Sequence, residues 1–589
     1  MPLISGASDL NRLAEDILEG RRRLIAWGGD IDVARVSHWQ CPLPIHSLAD
    51  TSWLKWCAPV EGLDCQPPAV LKSLPPDAVA VATHYNLGQS YVHVRAFMDH
   101  LPLVPHFIPG HLTRWTESGE GRDDPALLDE AIFGYGGIRD DGGMARRLLA
   151  AAPWAGHAAR ARALAAAMRA GRRASLGRKA ALFVERMNLG GAERQVCGLA
   201  AGLRRLGWEV TLVTQMPWPQ EAAHYRAELD RQGVDCVEAP VELPGSEGPL
   251  GESMARTLGA DGARLLWHVP ALLVPGILGL RRTLAGIEPD LLVCYLDRPN
   301  LMGAVAGCLT GVPEILMSGR NVNPSHFPHF YQGQIPAFED VYRMMTGLDG
   351  IRLSANSRVG AESYAKWLGL ADRSVAEVPN GVMADAFDTG TPMLRRALRR
   401  LLGLPERAKL LLGVFRLADE KNPLAFVDVA ARLMAERADL HAVICGGGSL
   451  DEAVRDRLRH WRVEDRFTLL NGISAMPLLM GAATLLLHTS RVEGTPNALL
   501  EAQAAGLPIV CTATGGSEDC LSAEARAHVH PQGDLAGLAA SCRLLLDDEG
   551  ERRRLARIGK AHVRRHYSIA RLARNTLAAA RARGSRRNV

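Results

Sequence analysis

The chain has 589 residues, enough at about 150 residues per domain for roughly four domains. Its 47% apolar and 22% charged residues are those of an ordinary globular protein, which excludes a collagen, a disordered tail protein and a disulfide miniprotein. The 68 Lys and Arg against 64 Asp and Glu leave a net charge of +4, too even for a chain-wide nucleic-acid footprint.

In chain order, Asn11–Arg22 reads as a helix feeding a strand at Leu24–Trp27, followed by a glycine turn, Gly28-Gly29-Asp30-Ile31-Asp32. A second strand is expected at Pro76–Ala82. Asp32 stands where the third glycine of a dinucleotide-binding turn would allow close helix packing, so this region is expected to be a Rossmann-like accessory domain with weak or no cofactor binding. Residues 117–143 read as loop, and the Ala/Arg-rich run 144–178 reads as a helical linker.

Beyond it, Ala180–Val184 is a strand, Asn188–Arg194 a turn, and a helix runs through Leu206 to a second strand at Glu209–Thr214, one βαβ unit. Further strands are expected at Pro289–Tyr295 and Val312–Met317. A third region opens near Val378 and carries strands at Lys409–Val414, His441–Cys445, Ala483–Leu487 and Pro508–Thr512. Strands alternating with helices imply parallel sheets, whose ligands bind beyond the carboxyl ends of the strands.

Residues able to do chemistry fall in those carboxyl-end turns. Arg416 and Lys421 follow the strand ending at Val414; together they can grip a diphosphate, or be solvated surface cations. Glu493 follows the strand near His488, and Asn497–Glu501 opens the next helix, whose first amides attract phosphate. Alternatively, Glu501 is an acid favoured by the helix dipole. The glycines Gly190-Gly191, Gly446-Gly447-Gly448 and Gly515-Gly516 allow close backbone approach to a ligand or serve plain turns. His326 and His329 read as loop or core residues. The cysteines form no CxxC pair and several sit in apolar runs, which points to a reducing compartment without a zinc site. The N-terminus lacks a signal-peptide pattern, and Leu265–Leu280, broken by Pro270 and Pro275, is too short to span a membrane. From Arg552 onward there are thirteen Lys or Arg and no acid, a tail suited to an anionic surface or to a solvated helix face.

Taken together, NLGGAERQ (188–195), SANSRVGAESY (354–364), VPNGV (378–382), GVFRLADEKNP (413–423) and RVEGTPNALLEAQAAGLPIVCTATGG (491–516) make the chain resemble the family 4 retaining glycosyltransferases over roughly residues 178–583. The resemblance implies an α/β chain of two Rossmann-like GT-B lobes behind the smaller accessory domain. The expected boundaries are 1–145 for that domain, 146–177 for the linker, 178–375 for the acceptor lobe, 376–560 for the donor lobe, and 561–589 for a crossover helix and basic tail.

It further implies that Arg416 and Lys421 neutralise the departing diphosphate, without a metal or any other cofactor, while Glu501 holds the ribose. Glu493, with the backbone at Thr495, Pro496, Asn497 and Ala498, would contact the donor sugar and phosphates, and Gly190 and Gly191 would let the front lobe close. Where relatives carry histidines, this chain has Asp297, Arg298 and Arg320, which are candidates for sugar or acceptor contacts. The implied partners are a nucleotide-diphosphate sugar and a surface polysaccharide or lipid-linked acceptor. The expected location is cytoplasmic, peripheral on the inner face of the cell membrane. The rival reading is a non-catalytic nucleotide-sugar-binding scaffold; a GT-B phosphorylase would need a pyridoxal-phosphate lysine that nothing in the sequence identifies.

Overall fold

The computed structural model describes residues 157–582, apart from 175–176, 189, 220–221, most of 242–272, 328–334, 389–390, 407 and 472–474. It also describes residue 21 and four short strands before residue 84. Those strands, β1 (Arg23–Gly28), β2 (Ser47–Asp50), β3 (Cys65–Gln66) and β4 (Ala78–Thr83), form a parallel sheet in the order β3-β2-β1-β4. The strands expected at 24–27 and 76–82 are therefore neighbours, in register Arg23 opposite Ala78. The helix expected at Asn11–Arg22 and the turn after Gly28 lie outside the described residues.

The front lobe is a seven-stranded parallel sheet in the order β11-β10-β9-β8-β5-β6-β7. Its strands are β5 (Lys179–Val184), β6 (Glu209–Thr214), β7 (Asp235–Glu238), β8 (Leu291–Tyr295), β9 (Glu314–Gly319), β10 (Ile351–Ala355) and β11 (Ala376–Glu377). A strand covered on both faces must be apolar throughout, and LLVCY in β8 is buried at every position. Chain order reverses between β5 and β8, so a crevice opens at their carboxyl ends. β11 completes this sheet, so the front lobe runs two residues past the expected boundary at 375.

The run read as a linker is not detached. Its helix, His157–Ala170, packs on the front lobe, with Ala165 buried. Arg169, 1% exposed, donates to the carbonyls of Asp349 (2.8 Å), Val312 (2.6 Å) and Pro313 (2.7 Å). Burial lowers its pKa to about 10. The Ala/Arg composition concealed this, because long basic side chains usually mark a solvated face.

The rear lobe is a six-stranded parallel sheet in the order β14-β13-β12-β15-β16-β17. Its strands are β12 (Lys409–Val414), β13 (Leu440–Cys445), β14 (Phe467–Leu470), β15 (Leu485–His488), β16 (Ile509–Thr512) and β17 (Val529–His530), and its order reverses between β12 and β15. The helix Glu549–His566 buries Val563 in this lobe's core. The chain then crosses back at Tyr567–Ser568, where Ser568 bridges Val382. The last helix, Ile569–Arg581, packs on the front-lobe helix Gly191–Arg205. Contact is close because Gly198 and Gly202 lack side chains: a Cβ on them would lie 2.7 Å from Ile569 Cδ1 and 2.9 Å from Ala573 Cβ.

Candidate functional site

The loops at the two carboxyl-end crevices face each other. In the rear lobe, β12 ends at Val414 and the chain turns through Phe415–Ala418 into a short 3-10 turn, Asp419–Lys421. Asn422 then adopts a left-handed conformation (φ 49°) and Pro423 starts a helix. The loop after β13 clamps this turn: Leu417 N–H donates to Gly447 O (3.0 Å). Gly446 has φ +145°, and a Cβ on it would lie 2.0 Å from Phe415 O. The triple glycine thus serves close backbone packing behind the cationic loop. Arg416 is largely exposed and its Nη2 meets Glu420 Oε1 at 2.7 Å.

Lys421 points inward. Its Nζ lies 2.7 Å from Glu493 Oε1, which also accepts from Ser490 Oγ (2.7 Å) and lies 3.1 Å from His488 Nε2. Glu493 is 7% exposed. Burial pushes its carboxyl pKa up, but the Lys421 charge and the His488 contact outweigh burial and hold it far below the usual carboxylate range. Glu493 and Gly494 are braced by the turn after β16: Glu493 bridges Gly515, and a Cβ on Gly516 would lie 1.6 Å from Gly494 O.

The helix Asn497–Ala505 begins at the front lobe's glycine turn. Asn497 Nδ2 donates to Gly191 O (3.0 Å), and its Oδ1 accepts from Gln195 Nε2 (2.9 Å) and Asn380 Nδ2 (2.7 Å). A Cβ on Gly191 would lie 2.6 Å from Asn497 Nδ2, so glycine is needed where the lobes touch. Thr495 Oγ1 donates to the carbonyl of Asn356 in the front lobe. Pro496 is the N-cap and offers no side-chain cap, so the amides of Asn497 and Ala498 have no intrahelical partner, whereas Leu499 N–H already donates to Pro496 O (3.2 Å).

One turn further along, Glu501 faces Arg194 across the cleft, with Nη1 3.1 Å from Oε1. Burial raises the Glu501 pKa against the pull of Arg194. Beside Arg194, Glu193 is also buried; burial raises its pKa, opposed in part by hydrogen bonds to backbone and by the charges of Arg194 and Arg416.

The three candidates for sugar or acceptor contact occupy different surroundings. Asp297, at the start of the helix Asp297–Leu309, is buried, and its Oδ1 accepts from the hydroxyls of Tyr342 (2.8 Å) and Tyr364 (2.5 Å). Its carboxylate is turned into the front lobe. Arg298 lies 3.4 Å from Glu185 at the end of β5. Arg320 stacks 4.6 Å from the Tyr295 ring and donates to Ser318 Oγ (3.1 Å) and to Asn380 Oδ1. Burial lowers its pKa. His326 sits in a 3-10 turn, Pro324–His326, and His329 lies outside the described residues.

The residues that sequence reasoning passed over are His488, Ser490, Arg194, Gln195, Asn356 and Asn380. Four of these lay inside quoted motifs, yet nothing local marks a side chain that will meet another lobe.

Residues 395–562 match the family model described as glycosyl transferases group 1. That stretch is the rear lobe with the long helix behind it. Among curated relatives, the Vi polysaccharide biosynthesis protein VipC/TviE of Salmonella typhi is 26% identical over 280 residues, 47% of this chain and 48% of that protein. A 2-deoxystreptamine N-acetyl-D-glucosaminyltransferase of Streptomyces fradiae is 26% identical over 405 residues, 65% of this chain and 91% of that one. The first three such relatives are spanned to 48%, 40% and 63% of their own lengths. Anabaena Alr3699/HepE, crystallised with UDP and glucose, superposes with a TM-score of 0.55 at 16% identity, covering 68% of this chain and 98% of that one. The fold is the two-lobed α/β GT-B fold of glycosyltransferases.

Proposed function

We propose that the chain is a retaining glycosyltransferase that moves a sugar from a nucleotide-diphosphate donor to a surface polysaccharide or lipid-linked saccharide. The observation that carries this reading is the buried Lys421–Glu493 pair at the rear crevice, opposite the Arg194–Glu501 pair that joins the lobes. Arg416 and Lys421 would stabilise the charge developing on the leaving diphosphate, so the reaction needs no divalent metal. Glu501 would accept hydrogen bonds from the ribose hydroxyls once the donor displaces Arg194. Glu493, held ionised, and the backbone from Thr495 through Pro496 to Ala498, with the free N–H groups of Asn497 and Ala498 at the helix start, would orient sugar and phosphate. Gly190 and Gly191 would let the front loop close on the donor. Arg320 and Arg298 remain the residues assigned to sugar or acceptor contact; Asp297 would act through the loop it anchors.

The names of similar proteins support the substrate class. HepE is described in complex with UDP and glucose, and an Escherichia coli relative, 25% identical over 253 residues, is a galactosyltransferase acting on a diphosphoundecaprenol-linked saccharide. A lipid-linked acceptor would bring the chain to the inner face of a membrane. The test is a panel of radiolabelled nucleotide sugars with lipid-linked acceptors, followed by NMR of the product's anomeric configuration. Transfer with retention supports the reading; tight donor binding with neither transfer nor donor hydrolysis refutes it in favour of a binding scaffold.

A further inference from the structure

The helix Pro392–Leu401, PMLRRALRRL, lies on the rear lobe away from the chemistry described above, and its orientation is unusual for a surface helix. Plotted at 100° per residue, Met393, Ala397, Leu401, Leu394 and Leu398 form one continuous apolar arc, and the four arginines form the opposite arc. A surface helix normally lays its apolar arc on the core. Here only the edge at Leu398 is buried. Met393 is 77% exposed, Leu401 82% and Leu394 46%.

The inward side is instead held by an arginine. Arg399 donates to the carbonyls of Glu406 (2.7 Å), Ala408 (3.0 Å) and Ala482 (3.1 Å). Arg395 Nε would lie 2.9 Å from a Cβ on Gly481. These ties, with Leu402 and Leu404 packed beneath, fix the helix in a pose that leaves most of its apolar arc in water. The helix is also preformed: Thr391 caps it through Leu394 N–H (3.3 Å) and Pro392 occupies its first turn. Along one rim of the exposed arc stand Arg396 and Arg400, both exposed. The helix contains no acid, and among the described residues Glu406 meets its exposed rim, paired with Arg400.

We infer that this helix is a membrane-interface element that seats Met393, Ala397, Leu394 and Leu401 among acyl chains of an anionic phospholipid surface, with Arg396 and Arg400 at the headgroups. An apolar stripe rimmed by arginine on a rigid helix is the pattern that lies in the plane of an interface. The long arginine side chains can keep their charge at the headgroups while their stems cover the stripe's edge. The inference stands on this surface alone and does not depend on the transferase reading, so either can fail without the other.

The test is flotation of the full chain with vesicles of phosphatidylcholine containing about one-third phosphatidylglycerol, against pure phosphatidylcholine vesicles. Wild type should float with the anionic vesicles. Met393→Asp/Leu401→Asp should weaken that binding by at least about tenfold, because each exposed side chain contributes apolar area that a carboxylate cannot. Arg396→Glu/Arg400→Glu should abolish the preference for anionic lipid. Both positions in the first pair are exposed, so circular dichroism and melting should match wild type. Wild-type-like flotation of the Met393/Leu401 variant would overturn the inference and assign binding to the basic C-terminal run. Absence of wild-type binding would overturn it outright. A wild-type dimer lost in that variant, without vesicle binding, would overturn it and give the stripe to contact between two copies of the chain.

Discussion

Replacing Lys421 by Met tests the centre of the site most sharply. The ammonium is 2.7 Å from Glu493 Oε1, and the two side chains are 15% and 9% exposed. Removing one member of a buried pair strands the other charge, at a cost of about 3–5 kcal/mol. His488 and Ser490 still contact Glu493 Oε1, which favours the lower end, about 3 kcal/mol. For a lobe of this size each kcal/mol moves Tm by about 2–4 °C, so the rear-lobe transition should fall by roughly 6–12 °C. The pH dependence carries a second signature. In wild type the Glu493 pKa is depressed, so its stabilisation is present above the unfolded value of 4.5 and lost as pH falls below it. Without Lys421, burial becomes the dominant influence and raises that pKa. The defect should then be largest at high pH and shrink as pH falls towards the unfolded carboxylate value. Lys421→Met/Glu493→Gln, which buries no charge, should recover most of the lost Tm by scanning fluorimetry. Turnover should stay about a hundredfold down in both variants, as for loss of one transition-state contact. A Tm for Lys421→Met within about a degree of wild type, or a double variant less stable than the single, would refute the buried-pair reasoning.

Other expectations follow from single contacts. Glu501→Gln should raise the donor KM about tenfold while sparing kcat, measured by initial rates, because the proposed ribose contact would be made in both ground and transition states. Gly494→Ala puts a Cβ 2.1 Å from Asn356 Oδ1 and should cost about 1–3 kcal/mol in a thermal melt, with weaker donor binding from a displaced Glu493. His441, His528 and His562 all have pKa values lowered by burial, so the unfolded chain takes up protons that the fold does not. Their stabilisation is present above the unfolded value of 6.5 and lost as pH falls, and the melting temperature should decline below that value. Asp340 is raised to about 7, chiefly by burial, so its ionisation opposes folding increasingly from pH 3.8 up to about 7. Asp340→Asn should therefore raise Tm at pH 8 and leave it unchanged near pH 4.

The strands were legible because a parallel sheet leaves a continuous apolar signature: LLVCY, KLLLGV and LHAVIC each stand out without reference to a partner. β10, IRLSA, was not, since an arginine and a serine interrupt its run; Arg352 reaches out to the carbonyl of Ala582 at the end of the last helix, and Ser354 bonds Met317 O. The stretch RVEGTPNALLE (491–501) marked Glu493 and Glu501, but a motif says nothing about counter-charges. Arg194 lies 307 positions from Glu501, and Lys421 lies 72 from Glu493. Such pairs come from the folding of one lobe on the other and from crossovers within a sheet. Asp297 illustrates the same limit: its place at a strand's carboxyl end suggests a ligand contact, and nothing local announces the two tyrosines from distant helices that bond its carboxylate.

The charge arrangement of the cleft constrains how it can accept a dianion. Arg194, Arg416 and Lys421 are each matched by a carboxylate, Glu501, Glu420 and Glu493, and Glu193 adds a fourth acid. Cations already matched by acids do not make an empty anion hole that attracts phosphate from afar. The pairs fix the cation positions in advance, so on the proposed reading little reorganisation would be needed when charge develops on a leaving group. Selectivity follows from the same arrangement. If Glu501 holds the ribose as proposed, phosphate alone would gain nothing there, whereas a ribose diol would satisfy that carboxylate and free Arg194 for the phosphates. On the proposed reading, a nucleotide would break the pair between the lobes with hydrogen bonds at both of its ends, and a free diphosphate at only one.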